Sequence, residues 1–464
     1  LHKEYRRQRQ MCIRDSEWHD RVSCGADCLR DDAAGQRAGG TGTMTPTSLR
    51  SRLATAAAAD DDHLVRTTAA LVAIDSQTPP SNTRAVVQQI LQAVAHVEGL
   101  EVERRPGAGP VDNVVLCLRG HRPGKRVILS CHLDTYPVGD IAGWTVPPLS
   151  GAVRDGKLYG RGSCDMKGGV AASLRVLDVM AAHRTEWNGE LVLALAGDEE
   201  SMGEQGTQVL IDSSPVCSDA LVIVPDVGSP GIVRCGEKGM IWLRLTARGS
   251  AAHGAHVHRG INAIDRLADA LAALRSLTTM STPATHEAVA TMQAAFPLSE
   301  ALGGKGEMDV MSRVTVNVGR IEGGSSPNLV PEEAVADVDI RIPLGVPTTQ
   351  VEREIYEILG GHPGVSCSIT RRYEATWTSP DHPLVRHGTR AAEEVLGRPV
   401  VANMRVGASD ARLWRRAGMP TIVLGLTPHN LGGPDEHLDI AELPVLASIL
   451  ALTVYDCLAG APAC

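Results

Sequence analysis

Short apolar runs alternate with amphipathic helical stretches through the first half of the chain, and this alternation restricts the fold more than any other feature. The runs, each bounded by Gly, Pro, Asp or Asn, are residues 113–118, 126–130, 190–196 and 220–224. Apolar residues recur at helical spacing in residues 64–73, 83–97 and 169–182. Strands that alternate with helices predict an α/β fold, in which a mixed, mostly parallel sheet lies between helices. Ligands bind at the carboxyl ends of the strands in such sheets.

From Gly236 the order of elements changes to strand, helix, strand, strand, helix, strand. The elements are residues 241–247, 262–274, 313–319, 334–342, 349–359 and 365–372. This order is typical of a ferredoxin-like α+β layer. We therefore predict a domain at residues 236–373, inserted into a first domain made of residues 44–235 and 374–464. Residues 281–312, which contain the chain's only Phe, Phe296, show no regular pattern, and no role is predicted for them.

Residues 1–43 differ from the rest of the chain. They begin with the basic, aperiodic stretch LHKEYRRQRQMCIRDS and end in the Gly-rich stretch GQRAGGTGT. The run RQRQMCIRDS resembles translated sequencing-adapter sequence, which favours an artefactual leader and a natural start at Met44; a disordered leader is the alternative. Neither interpretation gives these residues a place in the fold.

Charge and composition exclude several classes of protein. The 464 residues include 45 Lys and Arg against 54 Asp and Glu, a formal net charge of −9. A chain without a basic stripe is not expected to neutralise nucleic-acid phosphates. Its apolar runs fall short of the ~20 residues of a membrane helix, and its cysteines form no CxxC pair of the zinc-binding kind. We expect a soluble, cytoplasmic protein that binds neither nucleic acid nor membrane.

Two motifs place imidazole and carboxylate groups beside predicted strands. His132-Leu133-Asp134 follows the apolar run VILS, and the alternation of an extended chain puts His132 and Asp134 on the same face. A metal-binding His often donates its second nitrogen to such a carboxylate. The stretch 160–169, GRGSCDMKGG, fits neither phosphate-binding pattern, GxxxxGK[ST] or GxGxxG. Its glycines instead allow a tight turn that presents Asp165.

Two further acidic motifs follow strands. Glu199 and Glu200 come after ELVLALA, and Asp226 comes after a run that ends in LVIV. Neighbouring side chains of an extended chain point to opposite sides, so one Glu can bind a metal while the other transfers protons. Taken singly, each motif is consistent with a solvated turn, whereas together they predict one cleft. Imidazole and carboxylate ligands without thiolates favour a hydrolytic two-zinc site, with Co²⁺ or Mn²⁺ as alternatives.

Four motifs, in their order along the chain, resemble a known enzyme family. CHLDTYPVGD, GRGSCDMKGGVAA, GDEE and GSAAHGAHVHRGINAI are similar to motifs of the dinuclear-zinc family of acetylornithine deacetylase, succinyl-diaminopimelate desuccinylase, aminoacylase and glutamate carboxypeptidase. The resemblance extends from about Leu64 to the C-terminus. It implies a zinc-peptidase-like fold, a lid and dimerisation domain at residues 236–373, and a homodimer with two zinc ions per subunit.

The resemblance also implies a role for each residue of the predicted cleft. His132 and Asp226 would bind one zinc, Glu200 the other, and Asp165 both, with a cis peptide bond after Asp165. Glu199 would be the general base, and Asp134 would orient His132.

The resemblance leaves the last zinc ligand open. Relatives carry a His in an H-x-x-[DN]-E pattern, whereas this chain reads TPHNLGGPDEHLDI, with Gly432 at that position. His429, which follows the strand-like TIVLGL, is the predicted ligand, and His437 is the alternative. If neither binds, the second metal is weakly held.

Substrate-binding residues are implied mostly in the inserted domain. His253 corresponds to a histidine that polarises the substrate carbonyl in the neighbouring subunit. Asn317 in TVNVG and Arg341 in DIRIP correspond to residues that bind the substrate carbonyl and carboxylate, and a guanidinium suits a carboxylate. Asn328 and Ser409 are further candidates, for which a structural role in a loop is equally consistent.

These features predict a metal-dependent hydrolase that cleaves the amide bond of N-acyl amino acids or of small peptides with a free carboxylate. The alternatives are a dipeptidase or carboxypeptidase of the same family, and a metal- or amino-acid-binding relative that has lost turnover. A nucleotide-binding α/β enzyme is disfavoured because the phosphate-loop glycines are absent.

Overall fold

The structure, a computed structural model, describes residues 48–459. The leader predicted at residues 1–43 and the start predicted at Met44 lie outside the described residues. The α-helices in the described range are α1 (Leu49–Ala58), α2 (Asp61–Val72), α3 (Arg84–Ala93), α4 (Gly168–Ala182), α5 (Thr207–Ser213), α6 (Ala263–Leu274), α7 (Ala288–Gly303), α8 (Glu307–Ser312), α9 (Thr348–Gly360), α10 (Pro383–Leu396), α11 (Ala411–Arg416) and α12 (Glu442–Ala459).

The strands predicted from the sequence are present, together with others that the sequence did not predict. They are β1 (Glu101–Arg104), β2 (Val114–Arg119), β3 (Arg126–His132), β4 (Ala152–Arg154), β5 (Lys157–Tyr159), β6 (Glu190–Ala196), β7 (Leu221–Val224), β8 (Ile232–Glu237), β9 (Gly239–Arg248), β10 (Ala252–His253), β11 (Thr315–Gly323), β12 (Leu329–Val330), β13 (Glu333–Ile342), β14 (Val365–Tyr373), β15 (Thr376–Trp377), β16 (Val401–Arg405), β17 (Thr421–Val423) and β18 (His437–Asp439). The four runs predicted in the first half correspond to β2, β3, β6 and β7.

The large sheet is mixed and has a parallel centre. Its strand order is β1-β2-β6-β3-β7-β17-β8-β15, and β16 also pairs with β8. The strands β6, β3, β7 and β17 are parallel, whereas β2 and β8 run antiparallel to their neighbours β6 and β17. Leu129 packs into one core with α4 and α12, and Ile128 packs into another with α5 and α11. The predicted mixed sheet between helices is therefore confirmed.

A second sheet belongs to the predicted insert. Its strands are antiparallel in the order β11-β13-β9-β14. Ile241 and Leu243 alternate into a core with α6 and α9, while Trp242 and Arg244 lie on the opposite, more exposed face. The chain order β9-α6-β11-β13-α9-β14 is the predicted ferredoxin-like order. The bounds 44–235, 236–373 and 374–464 stay a prediction.

The segment 281–312, predicted to be irregular, forms α7 and α8. Its helix α7 packs on β16 of the large sheet, although it lies within the predicted insert. The buried residues of α7 are the small or flexible Ala288, Met292, Ala295 and Ser299, and Pro297 lies inside the helix. Such a stripe gives a weak apolar periodicity, and a proline normally ends a helix, so the sequence pattern does not reveal α7.

Helix α12 corrects the expectation that no apolar run is long enough for a membrane helix. By length and composition alone it is long and apolar enough to cross a membrane, and 72% of it is buried inside the described fold. It packs against α1, α4 and α10. Burial of this kind is typical of a core helix.

The inserted layer leaves and rejoins the large sheet at neighbouring points. β8 ends at Glu237 and β9 begins at Gly239, while β15 begins at Thr376, which pairs with Glu237. A Cβ atom at Gly239 would lie 2.5 Å from the backbone nitrogen of Ala375. The outgoing and returning chains therefore touch at this junction, and only a glycine fits there.

Candidate active site

The carboxyl ends of three parallel strands bring the predicted residues together. β3 ends at His132, β6 leads into Glu199 and Glu200, and β7 leads into Asp226. Because β6, β3 and β7 are parallel neighbours, these ends lie at one edge of the sheet. Asp165 reaches the same edge from the turn Ser163–Lys167 that precedes α4.

His132 lies at the centre of this group. Its Nε2 atom is 3.0 Å from Oδ1 of Asp165 and 3.9 Å from Oδ1 of Asp226. All three side chains are buried. Their ligand atoms lie within 4.8 Å of one another, and the same is true of His132, Glu199 and Glu200. The site therefore offers two overlapping ligand sets that share one imidazole.

These residues fit a divalent metal ion. The donors are one imidazole nitrogen and carboxylate oxygens, which suit Zn²⁺ and other first-row divalent metals. Within residues 48–459, Oε1 of Glu200 is buried and has no hydrogen-bond partner. An unpartnered buried carboxylate oxygen is costly unless a cation or proton joins it.

The carboxylates crowd one another in a desolvated space. Burial and the charge of Asp226 raise the pKa of Asp165. Burial raises the pKa of Glu200 well above its usual range, and Asp165 and Glu199 add to this. Burial would lower the pKa of His132, but the surrounding carboxylates outweigh it and raise that pKa well above its usual range. The crowded carboxylates therefore favour a positive charge between them.

Glycines hold the Asp165 turn against its neighbours. A Cβ atom at Gly169 would lie 1.9 Å from the carbonyl oxygen of Pro225, in the loop that carries Asp226. Gly162 has a φ of +82°, and a Cβ atom there would lie 2.4 Å from Cγ2 of Thr135. The peptide bond after Asp165 is cis, as the resemblance implies.

Asp134, predicted to orient His132, contacts both His132 and the turn of the two glutamates. His132 Nδ1 lies 3.0 Å from the carbonyl oxygen of Asp134 and 3.6 Å from its Oδ1. The Asp134 carboxylate accepts hydrogen bonds from the backbone nitrogens of Glu199 at 3.0 Å and Glu200 at 3.1 Å, and from the Thr78 hydroxyl at 2.7 Å. Asp134 thus fixes the turn that carries both glutamates.

Arg405 is a member of the site that sequence reasoning missed. It lies at the end of β16, and its Nη1 donates to Oδ2 of Asp226 at 2.9 Å. Burial would raise the pKa of Asp226, but Arg405 and His132 outweigh it and lower that pKa. Arg405 follows the strand-like run VVANM, so the rule that strand ends carry site residues would have found it if basic residues had been included.

The structure does not bring His429 or His437 into either ligand set of the described chain. The two rings stack on each other with centroids 4.8 Å apart, and Nε2 of His429 lies 3.2 Å from Oδ2 of Asp439. A β-bridge joins His429 to His437, which holds His429 beside β18. Gly432, at the position of the expected histidine, has a φ of +69° and lies next to the Tyr136 ring.

The candidates on the inserted layer lie apart from the His132 group. His253, Asn317 and Asn328 are exposed. Nδ1 of His253 accepts a hydrogen bond from the backbone of Ala255, and Nε of Arg341 donates to Asp339 at 2.9 Å. Among the described residues, no hydrogen bond joins these candidates to the His132 group.

The candidate role of Ser409 in substrate binding requires correction. Ser409 is fully buried, and its hydroxyl donates to Oε2 of Glu237 at 2.9 Å. The hydroxyl of Ser409 therefore makes its hydrogen bond within the fold. This bond links the loop before α11 to the end of β8. The sequence gives no sign of this burial because Ser409 stands in a Gly-containing, loop-like stretch.

The comparisons with known proteins agree with this geometry. The sequence model of Peptidase family M20/M25/M40 matches residues 128–456. The chain is 30% identical over 377 residues to succinyl-diaminopimelate desuccinylase of Gluconacetobacter diazotrophicus, covering 78% of this chain and 89% of that protein. It is 28% identical over 383 residues to the same enzyme of Rhodospirillum centenum, covering 81% and 92%.

Solved structures share the fold. An M20 family metallo-carboxypeptidase of Sulfolobus solfataricus has a TM-score of 0.70 at 18% identity, covering 85% of this chain and 99% of that one. The di-peptidase Dug1p of Saccharomyces cerevisiae has a TM-score of 0.72 at 14% identity, covering 89% and 99%. A dinuclear metal binding peptidase of the M20 family from Bacillus subtilis has a TM-score of 0.61 at 14% identity, covering 86% and 98%.

The chain belongs to peptidase family M20/M25/M40, because the family model matches more than half of it. It is a metal-dependent amidohydrolase or peptidase. The family resemblance inferred from the four sequence motifs is confirmed.

Proposed function

We propose that the protein is a zinc-dependent deacylase that hydrolyses the amide bond of N-acyl amino acids or of small peptides with a free carboxylate. The observation that carries this proposal is the buried group of His132, Asp165 and Asp226, with Glu199 and Glu200 beside it. The relatives named as desuccinylases, which remove an acyl group from an amine, support the deacylase reading.

Four residues of the two ligand sets would hold two zinc ions, and Glu199 would stay free for proton transfer. His132 and Asp226 would serve one ion, Glu200 the other, and Asp165 both. Bound cations would lower the pKa of a coordinated water and polarise the substrate carbonyl. Co²⁺ and Mn²⁺ suit the same donors.

Glu199 is the residue we assign to proton transfer. Burial and the nearby charge of Asp410 raise its pKa well above its usual range. A carboxylate with raised proton affinity suits taking a proton from the attacking water and delivering it to the departing nitrogen. Asp134 holds the backbone of Glu199 in place for both transfers.

The inserted layer would bind the substrate. Arg341 would pair with the free carboxylate, and Asn317 would donate to the carbonyl oxygen. His253 is exposed and would serve the site of a second copy in a homodimer. Support for a dimer comes from the exposed side chains of Val257 and Leu329 near His253 and from β11, which is an edge strand of its sheet.

The test combines metal quantification with a panel of N-acetyl amino acids, N-succinyl amino acids and dipeptides. We expect about two zinc ions per chain and hydrolysis of acylated amino acids. Glu199→Gln should lower kcat by about 10²- to 10⁴-fold at unchanged metal content. The surface variant Glu186→Gln serves as the control. Full activity of Glu199→Gln would contradict the assignment.

The same panel separates the alternatives. Faster hydrolysis of dipeptides than of acylated amino acids indicates the dipeptidase or carboxypeptidase activity named for the solved relatives. Metal binding without hydrolysis of any compound indicates a relative that has lost turnover. The position of His429, outside both ligand sets of the described chain, is the observation that favours this last alternative. Cytoplasmic location stays a proposal, which fractionation of the source cell tests.

A further inference from the structure

A buried arginine with no role in the scheme above lies beside Glu199. Arg412, on α11, has a side chain that is only 4% exposed, and its Nη1 lies 3.9 Å from Oε1 of Glu199. The same guanidinium donates from Nη1 to the carbonyl oxygen of Ser409 at 2.5 Å and from Nη2 to that of Met202 at 2.6 Å. These two bonds fix the plane of the guanidinium and therefore its distance from Glu199.

The carbonyl of Met202 belongs to the turn that carries the predicted base. The backbone nitrogen of Met202 donates to the carbonyl oxygen of Glu199 at 2.7 Å, and that of Gly203 donates to Asp198 at 2.7 Å. Arg412 thus holds the backbone of this turn through Met202 and faces its side chain at Glu199. Movement of the guanidinium would shift both.

An aromatic ring of the inserted layer lies over this guanidinium. The Tyr373 ring, at the end of β14, has its centroid 4.9 Å from Cζ of Arg412. A cation over an aromatic face is attracted by the ring, more strongly when water is excluded. The ring therefore supports the position of Arg412.

A second contact ties the same strand to the same turn. The hydroxyl of Tyr373 donates to Oε1 of Glu204 at 3.4 Å, and Nη1 of Arg371 donates to that atom at 3.1 Å. Glu204 directly follows Gly203, the last residue of the turn that carries Glu199. Strand β14 therefore contacts this part of the chain directly through Glu204 and indirectly through Arg412.

Charge and burial make the Arg412–Glu199 approach effective. Two opposite charges about 4 Å apart interact several times more strongly in a partly dry interior than in water. Within residues 48–459, Nε of Arg412 is buried and has no hydrogen-bond partner. The carbonyl groups therefore do not satisfy the whole guanidinium. The carboxylate of Asp410, which accepts a hydrogen bond from Thr207, also interacts electrostatically with Arg412.

We propose that Arg412 is a positioning residue for Glu199, and that Tyr373 of the inserted layer makes it effective by covering its guanidinium. The proposal rests on the proposed function, in which Glu199 is the base. It assigns the insert a part in proton transfer besides the binding of substrate.

The first test compares matched variants in steady-state hydrolysis. Arg412→Met should lower kcat by about 30-fold with KM within about twofold, and Arg412→Lys should recover part of the loss. Tyr373→Leu should lower kcat by about tenfold, whereas Tyr373→Phe, which keeps the ring, should stay within about twofold of wild type. Tyr356→Leu removes an exposed tyrosine of the same layer and is the control.

The double variant separates positioning from general damage. If Tyr373 acts through Arg412, adding Tyr373→Leu to Arg412→Met should cause no further loss of kcat. Losses that multiply, an unchanged kcat in Arg412→Met, or an effect confined to KM would each overturn the proposal. Should Arg412→Met not fold, the comparison of Tyr373→Leu with Tyr373→Phe decides in its place.

Hydrogen exchange gives a readout that needs no turnover. The amides of Met202 and Gly203 should exchange faster in Tyr373→Leu than in wild type, Tyr373→Phe or Tyr356→Leu, at equal metal content. If the wild type hydrolyses no compound of the panel, the proposed function has failed, and hydrogen exchange alone then tests the roles of Arg412 and Tyr373. In that case, unchanged exchange in Tyr373→Leu would overturn the proposal. If the wild type is active, the changes in kcat decide.

Discussion

The strand-end site and the inserted layer hold their polar groups in opposite ways. His132, Asp165 and Asp226 are buried, and both carboxylates lie within hydrogen-bonding or ion-pairing distance of His132. On the inserted layer, Asn317 is exposed, and Arg341 is half-buried and already paired with Asp339. The first region is organised by this chain alone. In the proposed function, the second presents groups that a substrate or a second copy would engage.

The largest effect is expected from changing Asp165, the residue of the strand-end site that would bind both metal ions. Asp165→Asn keeps the shape of the side chain but removes the negative charge next to His132. We expect activity to fall by about 10³-fold or more, because both predicted ions depend on this carboxylate. Metal content measured after gel filtration should fall in parallel.

Asp178→Asn, on the helix that follows Asp165, is the matched control and should retain metal and activity. An Asp165→Asn protein with normal metal content and turnover would show that the strand-end group is not a metal centre.

A smaller effect is expected on the inserted layer. Arg341→Met should raise KM for substrates with a free carboxylate by about 10- to 100-fold, the value of a charge-assisted hydrogen bond, with little change in kcat. The same substrates with an amidated carboxylate should show no difference between variant and wild type. Arg244→Met, which removes an arginine paired with Asp337 on the same face, is the control. A fall in kcat at constant KM would place Arg341 in the chemistry instead.

The smallest effect concerns the junction between the two regions. Lys238, between β8 and β9, is buried, and its Nζ atom donates to the carbonyl oxygens of Val310 and Arg313. Burial lowers its pKa to about 7, whereas an unfolded lysine has a pKa near about 10.4. Between these values the unfolded chain binds one proton more than the folded chain at this position. The contribution of Lys238 therefore makes the free energy of unfolding increase as the pH rises and decrease as the pH falls toward 7.

Lys238→Met should therefore reduce the pH dependence of unfolding between about pH 7 and 10, by at most about 1.4 kcal/mol per pH unit. Urea unfolding at pH 7, 8 and 9 measures the slope, with the exposed Lys305→Met as the control. Equal slopes for wild type and Lys238→Met would show that Lys238 is charged in the fold.

Sequence reasoning located the strand-end residues because their signals are local. An apolar run followed by His132, Glu199 or Asp226 specifies both the strand and the edge at which it ends. Asp165 was found because its flanking glycines mark a tight turn. The large sheet and the ferredoxin-like order followed from the same periodicities.

The residues that sequence reasoning missed depend on contacts between distant parts of the chain. Arg405, Arg412 and Tyr373 contact Asp226, Glu199 and Arg412, at separations of 179, 213 and 39 residues along the chain. Of the three, only Arg405 has a local signal, the strand-like run before it. The burial of Ser409 depends in the same way on Glu237. Helix α7 was missed for a different reason, since Pro297 and a stripe of small residues obscure its period.

The contact between Glu237 and Thr376 has a consequence for the topology of the chain. Since the outgoing and incoming segments already lie side by side, a short hairpin could join them and leave the large sheet a continuous chain. Removing the layer at this point would not break the order of strands in the large sheet. It would, however, remove helix α7, which packs on β16 and would have to be replaced.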